Sequence, residues 1–176
     1  GLGDVYKRQV YINYLLTPAT VALAIPLYEQ LQILKKNAIA IFTGIIAGTV
    51  AGLASVLGLS VLFGLTHEQY VTLLPKSITT AIGMGISEEL GGIVTISVAV
   101  IVLTGIFGNI MAEYILKWFH ITDSVAKGIA IGTSSHAMGT AKAIEMGEVE
   151  GAMSGLSIAV AGMITVIGAN IFSIFY

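Results

Sequence analysis

The sequence predicts an all-α polytopic membrane protein with about five or six transmembrane or re-entrant helices, several broken by Pro, Gly and polar residues. Two observations predict it. Of 176 residues, 56% are hydrophobic and 10% charged, with a mean hydropathy of +0.92. Soluble domains carry roughly 25% charged residues, and so little polar surface does not cover so large an apolar interior in water. The apolar residues also gather into runs that suit a bilayer, which takes about 20 residues per helix. No room is left for a separate soluble domain. A net charge of −2 with eight Lys and Arg gives no basic footprint for nucleic acid. The lack of Cys excludes a disulfide framework, a thiolate metal site and a cysteine nucleophile.

In chain order, Gly1 to Gln9 is polar and reads as a non-native leader such as translated adapter sequence; residues 10–176 are expected to form one transmembrane domain. With no initiator Met, the chain reads as a fragment. Val10 to Tyr28 is apolar but bracketed by Pro18 and Pro26, which predicts a kinked or broken span. Tyr28 to Asn37, with Glu29, Lys35 and Lys36, reads as a short loop. Ala38 to Phe63 is a full span whose Gly44, Gly48 and Gly52 stand four apart, a stripe that permits close helix approach. That stripe packs against another helix of the chain, a partner subunit, or a second copy in a homo-oligomer.

Leu65 to Leu74 reads as a polar-tinged connector. Pro75 to Ser87 is short and rich in hydroxyls, unlike an ordinary span, and ends in the Glu88 to Gly92 turn. Ile93 to Leu116 is a second plain span, and Glu113 with Lys117 suggests an i,i+4 ion pair near its end. After the loop Trp118 to Ser124, Val125 to Ile144 repeats the odd composition and ends in an acidic, glycine-bearing turn from Glu145 to Glu150. The last span is expected from Ala152 to Tyr176. Placing Lys35 and Lys36 in the cytoplasm favours re-entry for Pro75 to Ser87, because a full crossing would leave Lys117 and Lys127 outside, against the positive-inside rule.

The two polar, interrupted segments carry the chemistry. Non-helical or polar backbone at membrane depth survives only inside protein or beside a water-filled cavity, and paired broken segments point to a transporter's central site. In the first, Lys76, Thr80, Gly83 and Ser87 have the spacing of one helical face, and a helix beginning near Pro75 would aim its positive end at the same place. A cation with hydroxyls suits a small carboxylate; the other reading has Lys76 snorkelling to the interface. In the second, Thr133, His136 and Thr140 share a face beside Ser135, Gly139 and Lys142. His136 is either a proton carrier or a hydrogen-bonded packing residue. Catalysis, a bound metal and a cofactor are not expected. Glu88 occupies the third glycine of a G-x-G-x-x-G, the three His are scattered, and no G-x-S-x-G elbow exists.

Three strings resemble the LrgB/CidB family of bacterial membrane proteins: Pro18-Ala-Thr-Val-Ala-Leu-Ala-Ile-Pro-Leu-Tyr28, Leu74-Pro-Lys-Ser-Ile-Thr-Thr80, and Gly132-Thr-Ser-Ser-His-Ala-Met-Gly-Thr-Ala-Lys-Ala-Ile-Glu-Met-Gly-Glu-Val-Glu-Gly-Ala-Met153. The resemblance runs from about Val10 to the C-terminus. It implies a multi-pass protein of the bacterial cell membrane that works with a small LrgA/CidA-like membrane partner. Similar proteins are described as holin-like or antiholin-like modulators of murein hydrolase export and autolysis, and others as carriers of small monocarboxylates such as glycolate, glycerate or pyruvate. The resemblance implies candidate substrate contacts at Lys76, Thr79, Thr80, Thr133, Ser134, Ser135, His136, Thr140, Lys142 and Glu145. It also implies further spans before Pro18, so the domain is expected to be N-terminally truncated. Ala81 stands where many members carry Pro, which implies a more continuous first broken segment, and Glu113 also departs from the pattern.

Overall fold

The computed structural model describes Ile25 and residues 28–176. The expected leader and the Pro18–Pro26 span lie outside the described residues. All described regular structure is helical: α1 (Leu31–Phe63), α2 (His67–Leu73), α3 (Thr80–Glu89), α4 (Val94–Trp118), α5 (Ser124–Met146), α6 (Glu148–Phe172) and a final 3-10 turn, Ser173–Phe175. Three helices are long and apolar enough to cross a bilayer: α1, α4, and α6 with the 3-10 turn. Their outward faces carry large exposed apolar side chains such as Ile39, Phe107 and Ile167, as lipid contact requires. This is a polytopic helical membrane protein.

Several boundaries differ from expectation for local reasons. The expected loop Tyr28 to Asn37 is helical from Leu31, and Asn37 instead marks a kink, with φ −114° and ψ 16°. Its side-chain Nδ2 donates to the Ile33 carbonyl at 3.2 Å. The connector before Leu74 contains α2, because Thr66 and Gln69 form a reciprocal capping box. The acidic turn expected over Glu145 to Glu150 shrinks to Gly147, with helix on both sides.

α5 is broken at His136, whose backbone has φ 42° and ψ −143°. The chain there folds back on itself. A Cβ on Gly139 would lie 2.9 Å from Ile131 Cγ2, and Ile131 clusters with Ala143; in a straight helix, residues eight apart stand about 12 Å apart. Ser154 of α6 touches both arms, its backbone against Gly132 and its Oγ 2.6 Å from Thr140 Oγ1. α5 is thus a V, with arms Ser124–Ser135 and Ala137–Met146 meeting at His136.

α2 and α3 form a second V around the turn from Leu74 to Thr79. α3 has 10 residues, about 15 Å, too short to span. It runs antiparallel to α4: Gly83 packs against the Ile101 side chain, and Ser87 Oγ lies 2.7 Å from Ser97 Oγ. Both ends of this V sit at one end of the bundle, where Thr72 Oγ1 accepts from Ile93 N at 2.8 Å and Tyr176 donates to the Leu65 carbonyl at 2.5 Å. The α5 V opens at the opposite end, where a cleft of about 470 Å³ is lined by Lys117, Lys127, Met146 and Glu150. The N-terminal end of α1 lies there too, with Leu34 packed against the same apolar cluster as Val125 and Val149.

Among the described residues the fold is therefore three helices long enough to span and two Vs that enter the bundle from opposite ends. Cations divide accordingly, with Lys35, Lys36, Lys117 and Lys127 at the end where α5 opens, and Glu68, Glu88 and Glu89 at the other. Single cysteines at Glu68, Glu89, Lys117 and Lys127 should sort into two pairs under an impermeant maleimide. Glu68 and Glu89 should label from one side and Lys117 and Lys127 from the other; opposite-side labelling of Glu68 and Glu89 would contradict re-entry.

Candidate functional site

The tips of the two Vs meet near Ile101, part-way along α4. The first tip is the turn around Pro75, which is fully buried. Proline lacks a donor, so helix does not run through it; α3 starts at Thr80, not near Pro75 as expected, with Thr79 as its N-cap. No side chain caps that N-terminus, so its first N–H groups and positive dipole end remain available for an anion. Lys76 lies in the turn before the helix, which breaks the expected helical face of Lys76, Thr80, Gly83 and Ser87. Ser87 belongs instead to a hydroxyl network with Ser97, whose Oγ also donates to the Thr72 carbonyl at 2.8 Å. Half-buried Lys76 donates from Nζ to Ser77 Oγ at 2.9 Å. No carboxylate among the described residues lies within ion-pair range of it.

Lys76 borders a crevice between the first tip and three helices. Its polar lining is Lys76, Ser77, Thr49 of α1, Thr133 of α5 and Thr165 of α6; Gly52, Leu53, Leu74 and Ile78 complete it. The room inside is about 10 Å³, enough for one water. Thr49 and Thr133 each donate to a carbonyl one turn back, at 2.8 Å. Buried Thr165 makes no side-chain hydrogen bond among the described residues.

At the second tip, the buried His136 sets its Nε2 2.8 Å from the Ile101 carbonyl. A carbonyl only accepts, so Nε2 carries the proton in this bond. Gly105 makes room for the imidazole, since a Cβ there would lie 2.6 Å from Cε1. Asn109 Nδ2 donates to the Met138 carbonyl at 2.8 Å, and Thr140 Oγ1 to the His136 carbonyl at 3.0 Å. The reversal also separates Thr133 from Thr140, which were expected on one face: Thr133 faces α1, and Thr140 faces Ser154.

The structure thus brings Lys76 and Thr133 to one crevice, with Thr79 and Thr80 beside it at the start of α3. Ser135, His136 and Thr140 build the second tip, and Ser134 is exposed, its Oγ bonded to the Ala130 carbonyl at 2.7 Å. Lys142 and Glu145 lie elsewhere. Lys142 pairs with Glu113 at 2.8 Å and with Glu145 at 3.2 Å. The expected Glu113–Lys117 pair is present but longer, at 3.8 Å, so Glu113 chiefly ties α4 to the second arm of α5. Thr49, Ser77 and Thr165 were missed by the sequence reasoning. Their signal was a lone hydroxyl inside an apolar run, which by itself is commonplace.

A family model described as the LrgB-like family matches residues 4–175. The chain belongs to the LrgB-like family. It is 42% identical to uncharacterized protein YxaC of Bacillus subtilis over 147 residues, covering 84% of this chain and 64% of that protein. It is 38% identical to holin-like protein CidB of Staphylococcus epidermidis over 159 residues, 90% of this chain and 69% of that one. Antiholin-like protein LrgB of Bacillus mycoides is 38% identical over 156 residues, 89% of this chain and 68% of that one. This LrgB-like chain therefore spans about two thirds of the length of these relatives. No solved structure matches it.

The second tip of this LrgB-like fold makes a direct prediction. Gly105→Ala should destabilise the protein in detergent by about 1–3 kcal/mol, the usual cost of overpacking. Gly58→Ala, which meets no atom within 4 Å, should not. Adding His136→Gly to Gly105→Ala should not restore stability, because it removes the bond to the Ile101 carbonyl and leaves Met138 Sδ 2.8 Å from the new Cβ. Thermal unfolding of the three variants checks this.

Proposed function

We propose that this chain is the membrane-embedded core of a secondary transporter for small monocarboxylates of the pyruvate, glycolate and glycerate class. In this reading it works in a bacterial plasma membrane with a small LrgA/CidA-like partner. The observation that carries it is Lys76, a cation without a carboxylate partner among the described residues, at the tip of a re-entrant V facing Thr133 of the opposing one. A carboxylate there gains a charge-assisted bond from Nζ, hydroxyl donors from Ser77 and Thr165, and the dipole of α3. A crevice with room for one water is a closed state, so binding requires the opposing Vs to part, the rocking expected of alternating access. The end bearing Lys35, Lys36, Lys117 and Lys127 is cytoplasmic in this account.

A second reading is a regulator of murein hydrolase release, and the names of the holin-like CidB and antiholin-like LrgB relatives favour its holin-like or antiholin-like character. The two separate in one assay. Counterflow of labelled pyruvate and glycolate, measured with and without the partner, should be carried by the wild type. Lys76→Ala should reduce it about 10–100-fold, the worth of a hydrogen bond to a charged group. Lysis control that persists without any carboxylate flux would overturn the transporter reading.

A further inference from the structure

Five threonines are buried among the described residues: Thr49, Thr72, Thr133, Thr140 and Thr165. In an apolar helix a threonine hydroxyl finds its nearest acceptor in the carbonyl one turn back. Four of the five donate there, Thr49 to Ile45, Thr72 to Glu68, Thr133 to Ile129 and Thr140 to His136, at 2.6–3.0 Å. Thr165 is the exception. It is 3% exposed and borders the crevice with Lys76, Thr49 and Thr133, yet among the described residues neither the Ala161 carbonyl nor any other group takes its proton. A buried hydroxyl without a partner costs stability, and this one stands where a ligand would supply the partner.

We propose that Thr165 reads the oxygen on carbon 2 of the acid, so that the crevice selects 2-oxo and 2-hydroxy acids over unsubstituted ones; this rests on the carboxylate-transport reading above. Lys76, bonded through Nζ to Ser77 Oγ at 2.9 Å, fixes the carboxylate. Thr49 and Thr133 give their protons to carbonyls, so Thr165 is the one threonine of the crevice with a donor for the acid. In a 2-oxo or 2-hydroxy acid the oxygen on carbon 2 stands beside a carboxylate oxygen, and a single hydroxyl serves both in a three-centre bond. An unsubstituted acid has a methylene there and leaves the hydroxyl one acceptor instead of two. A site that bonds a substrate oxygen rejects the analogue without it more strongly than an apolar pocket rejects a missing methylene.

The test is counterflow in proteoliposomes of labelled lactate, pyruvate and propionate, which share one carbon skeleton and differ at carbon 2. Wild type, Thr165→Val and Thr165→Ser are compared, alongside thermal unfolding in detergent. Wild type should carry lactate and pyruvate at least about tenfold better than propionate. Thr165→Val keeps the shape and removes the hydroxyl. It should keep or raise the unfolding temperature, because no partner is left unbonded, and should erase the preference by lowering lactate and pyruvate flux far more than propionate flux. Thr165→Ser should keep the preference. A wild type without the preference, a preference that survives in Thr165→Val, or a loss there by the same factor for all three acids would overturn the assignment while leaving transport standing. Absence of wild-type flux for all three acids would remove the transport reading itself, and the Thr165 assignment with it.

Discussion

Everything in this fold follows from one constraint: a chain that reverses inside a bilayer must bring its own hydrogen-bond partners, because hydrocarbon offers none. The reversal at His136 meets it with three bonds, from the imidazole to the Ile101 carbonyl, from Asn109 to the Met138 carbonyl and from Thr140 to the His136 carbonyl. The reversal at Pro75 meets it partly by having one donor fewer, and partly through the Lys76–Leu73 backbone bond of 3.1 Å. α4 serves both. Its Ile101 packs beside Gly83 of the first V and accepts from His136 of the second.

Close approach is what lets those bonds form, and Gly supplies it where backbones nearly touch. The first arm of α5 lies on α6 through Gly128, where a Cβ would sit 2.5 Å from the Glu150 carbonyl, and through Gly132 beside Ser154. The interior that results is crowded, and most of its buried hydroxyls bond one another or a carbonyl, Ser60 being an exception. Lys76 stands apart as a half-buried cation whose Nζ, among the described residues, bonds only the Ser77 hydroxyl. A charge is expensive at such depth without a counter-charge, and that expense is the physical basis for proposing an anion in the crevice.

Much of this was legible in the residues. Length and hydropathy gave the plain spans, and Pro, Lys, His and clustered hydroxyls marked the segments that could not be plain. The rest turned on contacts between residues far apart in the chain. Glu113 and Lys117 make an obvious local pair, but the stronger partner, Lys142, is brought by the α5 reversal. Helical-face reasoning failed at Lys76 and between Thr133 and Thr140 because each set straddles a break, where the period of 3.6 no longer applies. Gly44, Gly48 and Gly52 look equivalent at four-residue spacing, and only their neighbours tell them apart: a Cβ would meet Ile129 at the first, Thr133 at the second and nothing within 4 Å at the third. The Thr66–Gln69 capping box was a local signal passed over, and it accounts for α2.

The convergence of two opposing tips is the central claim, and a chain without native Cys makes it directly measurable. Cysteines placed at Ser77 and Thr133, which border the same crevice, should be joined by a short bifunctional thiol reagent in membranes. The double variant should then show an intramolecular cross-link that neither single variant forms. Failure to cross-link while each single cysteine still reacts with a small permeant maleimide would mean that the tips do not meet, and would contradict the account.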